Sequence, residues 1–337
     1  MKIEEIAKLM VLKGKGILAA DESTGTMEKR LKSVNVPSTE KNRLSFRETL
    51  FSAPSMKSNI SGVILFEETL KQTSSSGLSI PELIKKSGSI PGIKVDKGAK
   101  QLAGSHNEKI TEGLDGLKER MTEYYKHGAR FAKWRAVYSI SSGQPSEQCI
   151  KSNAHALARY AAIVQEAQMV PIIEPELLMD GDHSIDTCYD VTSRIISECY
   201  KELDIHKINL KGTVLKPNMI LPGVNCKQKT SSEEIAKKTI KCLKNNVPSE
   251  VPGIAFLSGG QSEVEATKNL NEINKINDTS FNFTFSYGRA LQQSALKTWA
   301  KSMKETLLIQ KVFDHRARMN GLSTRAEWSE NLEKQVA

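Results

Sequence analysis

The sequence lacks the patterns that mark several specialised classes of protein. Its five cysteines include no CxxC pair, and this odd number of thiols argues against a disulfide framework or a zinc–cysteine site. No apolar run approaches the length of a membrane span, and charges near the N-terminus interrupt what would be the apolar core of a signal peptide. We therefore expect a cytoplasmic protein with reduced thiols and no membrane partner.

Aromatic residues and dense basic runs are also scarce. Aromatic side chains make up 6% of the chain, and its net charge of +9 is spread over lysines and arginines that occur singly or in pairs. Faces that bind nucleic acid usually combine denser basic clusters with aromatic side chains. The charge therefore favours a small anionic substrate over nucleic acid as the partner.

Motifs for common cofactors and catalytic metals are missing too. No GxGxxG follows the first β-like run, and neither HxH nor HExxH occurs. The remaining metal candidate is the loop DGDHS at 180–184, which offers Asp180, Asp182 and His183. Turn formation and helix capping are simpler roles for its aspartates. The sequence therefore predicts neither a cofactor nor a metal.

What the chain does contain is a series of eight short β-rich runs with helical stretches between them. The stretch 232–243, for example, has a helical pattern, and Ser231 just before it and Glu234 in its first turn have the spacing of a capping box. Such alternation predicts a single (β/α)8 TIM barrel of class α/β, with an open doubly wound sheet as the alternative. The runs are GILAADES (16–23), GVILFEE (62–68), GIKVDKG (92–98), ARFAKWRAV (129–137), VPIIEPE (170–176), GTVLKPN (212–218), GIAFLSGG (253–260) and FTFSYGR (283–289).

Both ends of the chain are predicted to add helices to this barrel. Apolar residues recur at helical spacing within 3–11, which predicts an N-terminal helix, and again within 303–313, which predicts a helix lying on the barrel. We place the barrel in residues 1–320 and a C-terminal helical tail in residues 321–337.

Most of the eight runs are apolar at their start and polar at their end. In a parallel barrel the carboxyl ends of all strands open onto one face, where active sites are built. Side chains two positions apart on a strand share a face. Each polar pair taken alone could be a solvated strand end, but charges inside a barrel must be paired and are usually functional. The pairs are Asp21 with Ser23, Lys94 with Asp96, Lys133 with Arg135, and Glu174 with Glu176.

The run TVLKPNM at 213–219 ends an apolar strand with a lysine, Lys216. A buried lysine beside cations such as Lys133 and Lys94 has a lowered pKa, so it is partly neutral and nucleophilic near neutral pH. A neutral amine condenses with a ketone to an imine, whose protonated form stabilises a carbanion when a carbon–carbon bond breaks. The alternative role for Lys216 is an ion pair with a glutamate at the barrel mouth.

The same chemistry needs carboxylates that move protons onto and off oxygen, and it needs groups that hold the substrate. Glu174, Glu176 and Asp21 are the candidates for the proton transfers. Barrel enzymes often bind phosphate at the turns after their last two strands. A second anion site across the mouth would suit a bisphosphorylated sugar. The candidates are Ser258, Gly259, Gly260, Gly288 and Arg289 on one side, and Ser23, Thr26, Lys94 and Arg135 on the other.

These residues lie in segments that resemble class I fructose-bisphosphate aldolase. The matches run in order from about Gly14 to Trp299, and together they are far more specific than any one motif. The resemblance implies a (β/α)8 barrel, a homotetramer, and metal-independent, reversible cleavage of fructose 1,6-bisphosphate to dihydroxyacetone phosphate and glyceraldehyde 3-phosphate. The segments are GKGILAADESTGTMEKRL, VILFEETL, PGIKVDKG, GARFAKWRAVYSI, VPIIEPELLMDGDHS, GTVLKPNMILPG, FLSGGQSEVEA and FSYGRALQQSALKTW.

The resemblance also implies roles for single residues. Lys216 would be the Schiff-base lysine, Glu174 the main general acid and base, and Lys133 a support for carbinolamine chemistry. Asp21 would handle the proton of the C4 hydroxyl, and Glu176 would be a supporting carboxylate beside the lysine. The C1 phosphate would contact Ser258, Gly259, Gly288, Arg289 and Arg30, and the C6 phosphate would contact Ser23, Lys94 and Arg135.

The chain departs from the family pattern at its end, because members commonly finish in a tyrosine on a mobile tail and no tyrosine follows Tyr287 here. Two alternatives to fructose 1,6-bisphosphate cleavage stay open at this point. One is cleavage of a related substrate, such as fructose 1-phosphate or sedoheptulose bisphosphate. The other is a binding role, in which the basic mouth engages acidic peptides or cytoskeletal partners. The presence of the lysine and the carboxylates favours catalysis.

Overall fold

The eight β-rich runs form eight parallel strands that close into a barrel in the computed structural model, which describes residues 1–335. The predicted fold class is confirmed, and the alternative of an open sheet is wrong because the first and last strands pair. The strands in chain order are β1 (Gly16–Ala20), β2 (Ile60–Leu65), β3 (Ile90–Lys94), β4 (Ala99–Gln101), β5 (Lys109–Thr111), β6 (Phe131–Tyr138), β7 (Val170–Leu177), β8 (Val214–Leu215), β9 (Gly253–Phe256) and β10 (Asn282–Tyr287), of which β4 and β5 form a separate hairpin.

The strand order around the barrel follows the chain: β1, β2, β3, β6, β7, β8, β9, β10 and back to β1. Every neighbouring pair is parallel. In the closing pair, Ile17 lies opposite Ser286 and Leu18 opposite Tyr287. All eight carboxyl ends therefore open onto one rim, and the polar ends of the runs meet there.

The sequence analysis missed the β4–β5 hairpin. It is a short antiparallel pair of largely exposed residues, with Ala99 opposite Thr111, and it carries no long apolar pattern to reveal it. The hydroxyl of Thr111 donates to the carbonyl of Arg135 at 2.7 Å, and the amide of Thr111 donates to Asn153 Oδ1 at 3.2 Å. These bonds fix the hairpin to β6 and to the helix that carries Asn153, beside the open rim of the barrel.

Helices form the outer layer, and several begin at a serine cap. Ser146, Ser184 and Ser231 each accept a hydrogen bond from the backbone amide three residues further on. None of the helices within the described range is both long and apolar enough to traverse a lipid bilayer. The helices are α1 (Ile3–Met10), α2 (Thr24–Lys32), α3 (Glu40–Phe51), α4 (Ser55–Ser58), α5 (Glu67–Leu70), α6 (Ile80–Lys86), α7 (Leu117–Lys126), α8 (Glu147–Glu166), α9 (Ile185–Ile205), α10 (Ser232–Asn246), α11 (Glu263–Lys275), α12 (Arg289–Lys301), α13 (Thr306–Ser323) and α14 (Glu330–Glu333), with a 3-10 turn at Leu210–Gly212.

The N-terminal helix α1 was predicted and is present, and it packs against the amino-terminal ends of the strands. Its buried residues Ile6 and Met10 join one apolar cluster with Ile17 and other residues of the barrel interior. The fit is close, since a Cβ added to Gly253 at the start of β9 would lie 2.7 Å from Val11 Cγ2. With that end of the barrel covered, the opposite rim is the open face.

The segment after α13 docks against that helix. Trp328 is 6% exposed, and its indole Nε1–H donates to Glu333 Oε1 at 2.8 Å. Glu333 also pairs with Arg316 of α13 at 2.7 Å. The boundary placed between the barrel and the tail, at residues 320 and 321, falls within α13 and stays a prediction. The last two residues of the predicted tail, Val336 and Ala337, lie outside the described residues.

We predict that Trp328→Ala lowers the free energy of unfolding by about 3 kcal/mol, because it removes a buried indole and a hydrogen bond to Glu333. Urea denaturation measures this change. Glu327→Ala, at an exposed neighbour, is the matched control and should change stability by less than about 0.5 kcal/mol. Equal effects of the two substitutions would contradict the docking of this segment.

Candidate active site

The thirteen residues to which the family resemblance gives roles, together with the anion-site candidates Thr26 and Gly260, line one cavity of about 810 Å³ at the carboxyl ends of the barrel strands. They come from six strands or the residues just after them and from the helices α2 and α12, so the fold assembles them from distant parts of the sequence. The deepest are Lys133, Glu174 and Lys216, each 3% exposed, whereas Arg289 is exposed at the rim. A cavity of this volume is within the usual range for small-molecule sites.

Lys216 meets Glu174 because of the strand register. Leu215 of β8 lies opposite Ile173 of β7, and the amide of Lys216 donates to the carbonyl of Ile173 at 2.7 Å. The next residue of each strand is then adjacent, and Lys216 Nζ lies 2.9 Å from Glu174 Oε1. The ion pair named above as the alternative for Lys216 is therefore present. It also gives the amine a carboxylate to which it can pass a proton.

Lys133 bridges two carboxylates. Its Nζ lies 2.8 Å from Asp21 Oδ2 and 3.2 Å from Glu174 Oε2. Burial on its own lowers the pKa of Lys133, but the charges of Asp21 and Glu174 outweigh burial and raise the pKa above its ordinary value. Lys133 is thus a permanent cation beside Lys216 and Glu174.

The same lysines keep Asp21 and Glu174 ionised. Burial on its own raises the pKa of Asp21, but Lys133 and Lys216 overcome it and bring the pKa to about 2. Burial acts in the same direction on Glu174, where Lys133, Lys216 and Arg135 together lower the pKa. Both carboxylates are therefore able to accept a proton near neutral pH.

The ionised Asp21 should stabilise the fold over a defined range of pH. Its pKa is 3.8 ordinarily and about 2 in the folded protein, so as the pH falls the unfolded chain binds this proton first. We predict that a contribution of about 2 kcal/mol is fully present above about pH 4 and is lost as the pH falls to about 2. The free energies of unfolding of the unmodified protein and of Asp21→Asn, measured between about pH 6 and pH 3, should therefore converge. A constant difference would contradict the prediction.

Two further ion pairs flank this centre. Lys94 Nζ lies 2.7 Å from Asp96 Oδ1, and the guanidinium of Arg135 pairs with Glu176. Burial lowers the pKa of Arg135, but Glu176 outweighs it and raises the pKa. The carboxylate in contact with Lys216 is thus Glu174, while Glu176 contacts an arginine. The inner charges balance, and the excess of cations lies at the rim.

The turns after β9 and β10 form one side of the rim. Gly259 and Gly260 have φ of +55° and +81°, in the left-handed region that favours glycine. Gly288 precedes the first residue of α12, Arg289, and a Cβ at Gly288 would lie 3.3 Å from the carbonyl oxygen of Ala19. The free amides at the start of α12 and the guanidinium of Arg289 together suit an anion.

The start of α2 lies at the rim as well. Ser23 caps this helix and accepts from the amide of Thr26 at 3.4 Å. Arg30, further along α2, donates from Nη1 to Glu22. Within residues 1–335, the buried Nε and Nη2 of Arg30 have no hydrogen-bond partner. Unsatisfied buried donors are costly, and an anion in the cavity would satisfy them.

Sequence reasoning missed Glu22, which holds the rim together. Its carboxylate pairs with Arg30 and lies 3.4 Å from Nη2 of Arg47, a residue of α3 that is 1% exposed. Arg47 also donates to the carbonyl of Glu22 at 2.7 Å and to Thr69 at 2.8 Å. The polar end of the first run, ADES, signals that Glu22 is near the site, but nothing in the sequence connects it to α3.

Two uncharged residues that support the strands were missed as well. The hydroxyl of Tyr160 on α8 lies 2.7 Å from the carbonyl oxygen of Ala132 and 3.2 Å from that of Ile172, beside Lys133 and near Glu174 on β6 and β7. Gln292 of α12 donates to the carbonyl of Ala19 at 2.7 Å. The other polar residues and glycine that line the cavity are Glu22, Lys29, Ser33, Asp96, Gly98, Ser286 and Gln293.

The loop with Asp180, Asp182 and His183 does not bring three metal-ligating atoms together within residues 1–335. The carbonyl of His183 instead accepts from the amide of Gly223 at 2.9 Å, and burial lowers the pKa of its ring. None of these three residues is among those that line the cavity with its lysines and carboxylates.

Comparison with known proteins gives one consistent result. The family profile described as fructose-bisphosphate aldolase class-I matches residues 2–337. The chain is 48% identical over 328 residues to a probable fructose-bisphosphate aldolase class 1 of Xylella fastidiosa, which covers 97% of this chain and 98% of that protein. It is 53% identical over 312 residues to fructose-bisphosphate aldolase 4, cytosolic, of Arabidopsis thaliana, covering 92% of this chain and 79% of that one.

A solved structure agrees with these relatives. The fructose-bisphosphate aldolase of Plasmodium falciparum, crystallised with TRAP and a small-molecule inhibitor, superposes with a TM-score of 0.94 at 45% sequence identity. The match covers 97% of this chain and 95% of the Plasmodium chain. Over 92–97% of this chain, the sequence and the fold are thus similar to those of proteins named fructose-bisphosphate aldolase.

Proposed function

The chain belongs to the class I fructose-bisphosphate aldolase family, and we propose that its Lys216 forms the Schiff base through which it cleaves fructose 1,6-bisphosphate. The protein is a lyase of glycolysis, and its substrate is the sugar bisphosphate that the family splits into dihydroxyacetone phosphate and glyceraldehyde 3-phosphate. The observation that supports Lys216 is its buried amine, 2.9 Å from Glu174, inside the cavity of about 810 Å³.

The first half of the proposed reaction forms the imine. Lys216 passes a proton to Glu174 and attacks the C2 carbonyl of the ketose, giving a carbinolamine. Glu174 then returns a proton to the C2 hydroxyl, which leaves as water while the nitrogen lone pair forms the iminium. The fixed charge of Lys133, 3.2 Å from Glu174, stabilises the negative charge that develops on the C2 oxygen.

The second half breaks the bond between C3 and C4. Asp21 takes the proton of the C4 hydroxyl, the C4 oxygen becomes the aldehyde oxygen, and the electrons of the C3–C4 bond move into the iminium to give an enamine. Asp21 suits this role because its pKa of about 2 keeps it ionised. Protonation of the enamine at C3 and hydrolysis of the imine then release dihydroxyacetone phosphate and restore Lys216.

We assign the two phosphates to the two sides of the rim. The turns after β9 and β10 and the start of α12 supply amides for the C1 phosphate, and Arg30 of α2 supplies a guanidinium. Arg135, Lys94 and Ser23 serve the C6 phosphate. Two anion sites favour bisphosphates over fructose 1-phosphate, and a comparison of kcat/KM for fructose 1,6-bisphosphate, fructose 1-phosphate and sedoheptulose bisphosphate tests this order.

Borohydride trapping tests the Schiff base. The purified protein is incubated with dihydroxyacetone phosphate and EDTA, reduced with borohydride and digested, and the modified peptide is identified by mass spectrometry. We expect the adduct on Lys216, formed without any metal. The control omits borohydride, which should leave the peptide unmodified. A folded, active protein that gives no adduct, or an adduct on another lysine, would contradict the assignment.

We also propose a cellular location, an oligomeric state and additional binding partners for the protein. The five free cysteines and the cytosolic Arabidopsis relative support a cytoplasmic location. We propose a homotetramer, as the family resemblance implies, which sedimentation of the purified protein tests. The TRAP complex of the Plasmodium relative supports a peptide partner, and the cationic rim suits an acidic one, so we propose that acidic peptides bind at the same mouth. Competition between such a peptide and fructose 1,6-bisphosphate would test that binding.

A further inference from the structure

Two histidines and a glutamate converge on the outer surface of the barrel, and none of them lines the cavity. His155 lies on α8, Glu202 lies on α9, and His206 follows the last residue of α9. We propose that these three residues bind a divalent transition-metal cation, Zn²⁺ first of all, and that the bound ion links α8 to α9. The proposal is independent of the aldolase reaction, which it leaves unchanged.

The distances suit three ligands of one ion. One ligand atom from each of the three side chains lies within 4.8 Å of the other two. His155 Nδ1 is 3.1 Å from Glu202 Oε2, and the ring of His206 lies beside the same oxygen, with its non-ligating Nδ1 3.7 Å away. Ligands about 2.0–2.1 Å from a tetrahedral Zn²⁺ are about 3.3 Å apart. Small rotations of the three side chains would therefore reach the tetrahedral arrangement, with water as the fourth ligand.

The ring of His206 is already held in place. Its Nδ1 lies 2.8 Å from the backbone carbonyl oxygen of Glu202. A carbonyl oxygen only accepts, so Nδ1 carries the hydrogen in that bond and Nε2 of the neutral ring keeps a lone pair for a metal. Histidines that bind metals commonly donate their other ring nitrogen to a carbonyl or carboxylate in this way.

The two helices that carry the ligands are firmly anchored. On α8, Ala154 and Ala156, the neighbours of His155, are buried, and on α9 Cys199 and Leu203 are buried. The ligands themselves are accessible, with His155 53% and His206 21% exposed at their side chains. The site is thus partly preformed on rigid elements and open to an ion from solvent.

The donor set selects the class of cation. Two imidazoles and one carboxylate suit Zn²⁺, Cu²⁺, Ni²⁺ and Co²⁺, whereas Mg²⁺ and Ca²⁺ prefer oxygen ligands. Nearby lysines do not occupy the carboxylate, because Lys151 pairs with Glu147 and Lys201 pairs with Glu198. A bound ion would therefore replace two weak histidine–glutamate contacts by three metal bonds.

The chain contains a matched comparison for this cluster. Glu123 and His127 on α7 have the same four-residue spacing as Glu202 and His206, and His127 likewise follows the last residue of its helix. Within residues 1–335 they do not belong to a group of three metal-ligating side chains. If a glutamate and a histidine at this spacing were sufficient, both places would bind. The proposal requires that only the site with His155 does so.

Isothermal titration of the EDTA-treated, dialysed full-length protein with Zn²⁺ tests the site. We expect about one high-affinity ion per chain. His155→Ala and His206→Ala should each weaken that binding by at least about tenfold, while His127→Ala should not change it. Cys226→Ser controls for the most accessible cysteine and should bind like the unmodified protein. Zn²⁺ should also raise the unfolding temperature of the unmodified protein and leave that of His155→Ala unchanged.

Three results would overturn the proposal. They are the absence of Zn²⁺ uptake by the unmodified protein, uptake that His155→Ala and His206→Ala leave unchanged, and uptake that Cys226→Ser abolishes. Because His155 is more than half exposed at its side chain, its replacement should fold normally, which circular dichroism checks. Cleavage of fructose 1,6-bisphosphate by these variants should match the unmodified protein with and without EDTA.

Discussion

Lys216→Met should lower kcat for the cleavage of fructose 1,6-bisphosphate by at least about 10⁴-fold. Methionine fills nearly the same volume but has no amine, so no imine forms and the electrons of the breaking carbon–carbon bond have nowhere to go. The remaining groups of the cavity can still bind the substrate. We therefore expect the substrate to protect the variant against thermal unfolding even though turnover is lost. A coupled assay of glyceraldehyde 3-phosphate release measures kcat. Differential scanning calorimetry with and without substrate measures the rise in unfolding temperature that reports binding.

The Lys216→Met experiment needs a control for protein stability, because Lys216 is buried in an ion pair and its loss could unfold the protein. Its removal leaves Glu174 with Lys133 at 3.2 Å, so the glutamate does not become an isolated buried charge. Lys118→Met, which breaks an exposed pair with Glu166, controls for the loss of a lysine and should keep full activity. Activity of Lys216→Met within about tenfold of the unmodified protein would show that Lys216 is a structural ion-pair residue.

The barrel was predictable because each strand carries its own signal. Runs such as VPIIEPE are buried on both faces and end in charges, and their parallel order follows from the helices between them. β8 shows the limit of this signal, since only Val214 and Leu215 of the run GTVLKPN form ladder pairs. The β4–β5 hairpin gave no signal, because its short strands are exposed and gain their order from bonds to β6 and α8.

The residues of the site were predictable where they end strands, and their partners were not. Strand periodicity puts Lys133 and Arg135 on one face, but the choice of partners depends on the register between strands. The register between β7 and β8 places Glu174 beside Lys216. Arg135 lies opposite Glu174 in the register between β6 and β7, but its guanidinium pairs with Glu176, two residues further along β7. Side chains from the outer layer, such as Tyr160, could not be found in this way, because their role depends on which strand their helix covers. The cluster at His155 was missed for the same reason, as its ligands come from two helices.

Glu174→Gln should lower kcat by about 10³-fold, because glutamine keeps the shape of the side chain but cannot exchange protons. Glu174 contacts both Lys216 and Lys133, at 2.9 Å and 3.2 Å, so the proposed reaction uses it in forming the imine as well as in hydrolysing it. The rate of borohydride-trapped adduct formation with dihydroxyacetone phosphate should therefore fall together with kcat. Asp21→Asn, by contrast, should slow cleavage while leaving adduct formation nearly unchanged, since Asp21 acts only at the C4 hydroxyl.

The comparison of these two variants separates a catalytic role for Glu174 from a structural one. If Glu174 merely held the lysines in place, its replacement would lower adduct formation and substrate binding in proportion to lost stability, and a small carboxylic acid added to Glu174→Gln would restore nothing. A proton-transfer role predicts an altered dependence of adduct formation on pH, since the carboxylate that accepts the proton of Lys216 is gone. Glu166→Gln, at an exposed glutamate, should behave like the unmodified protein in both assays. Adduct formation in Glu174→Gln at an unchanged rate would assign the proton transfer to another group of the cavity, and Asp21, the other ionised carboxylate beside Lys133, would then be the first to examine.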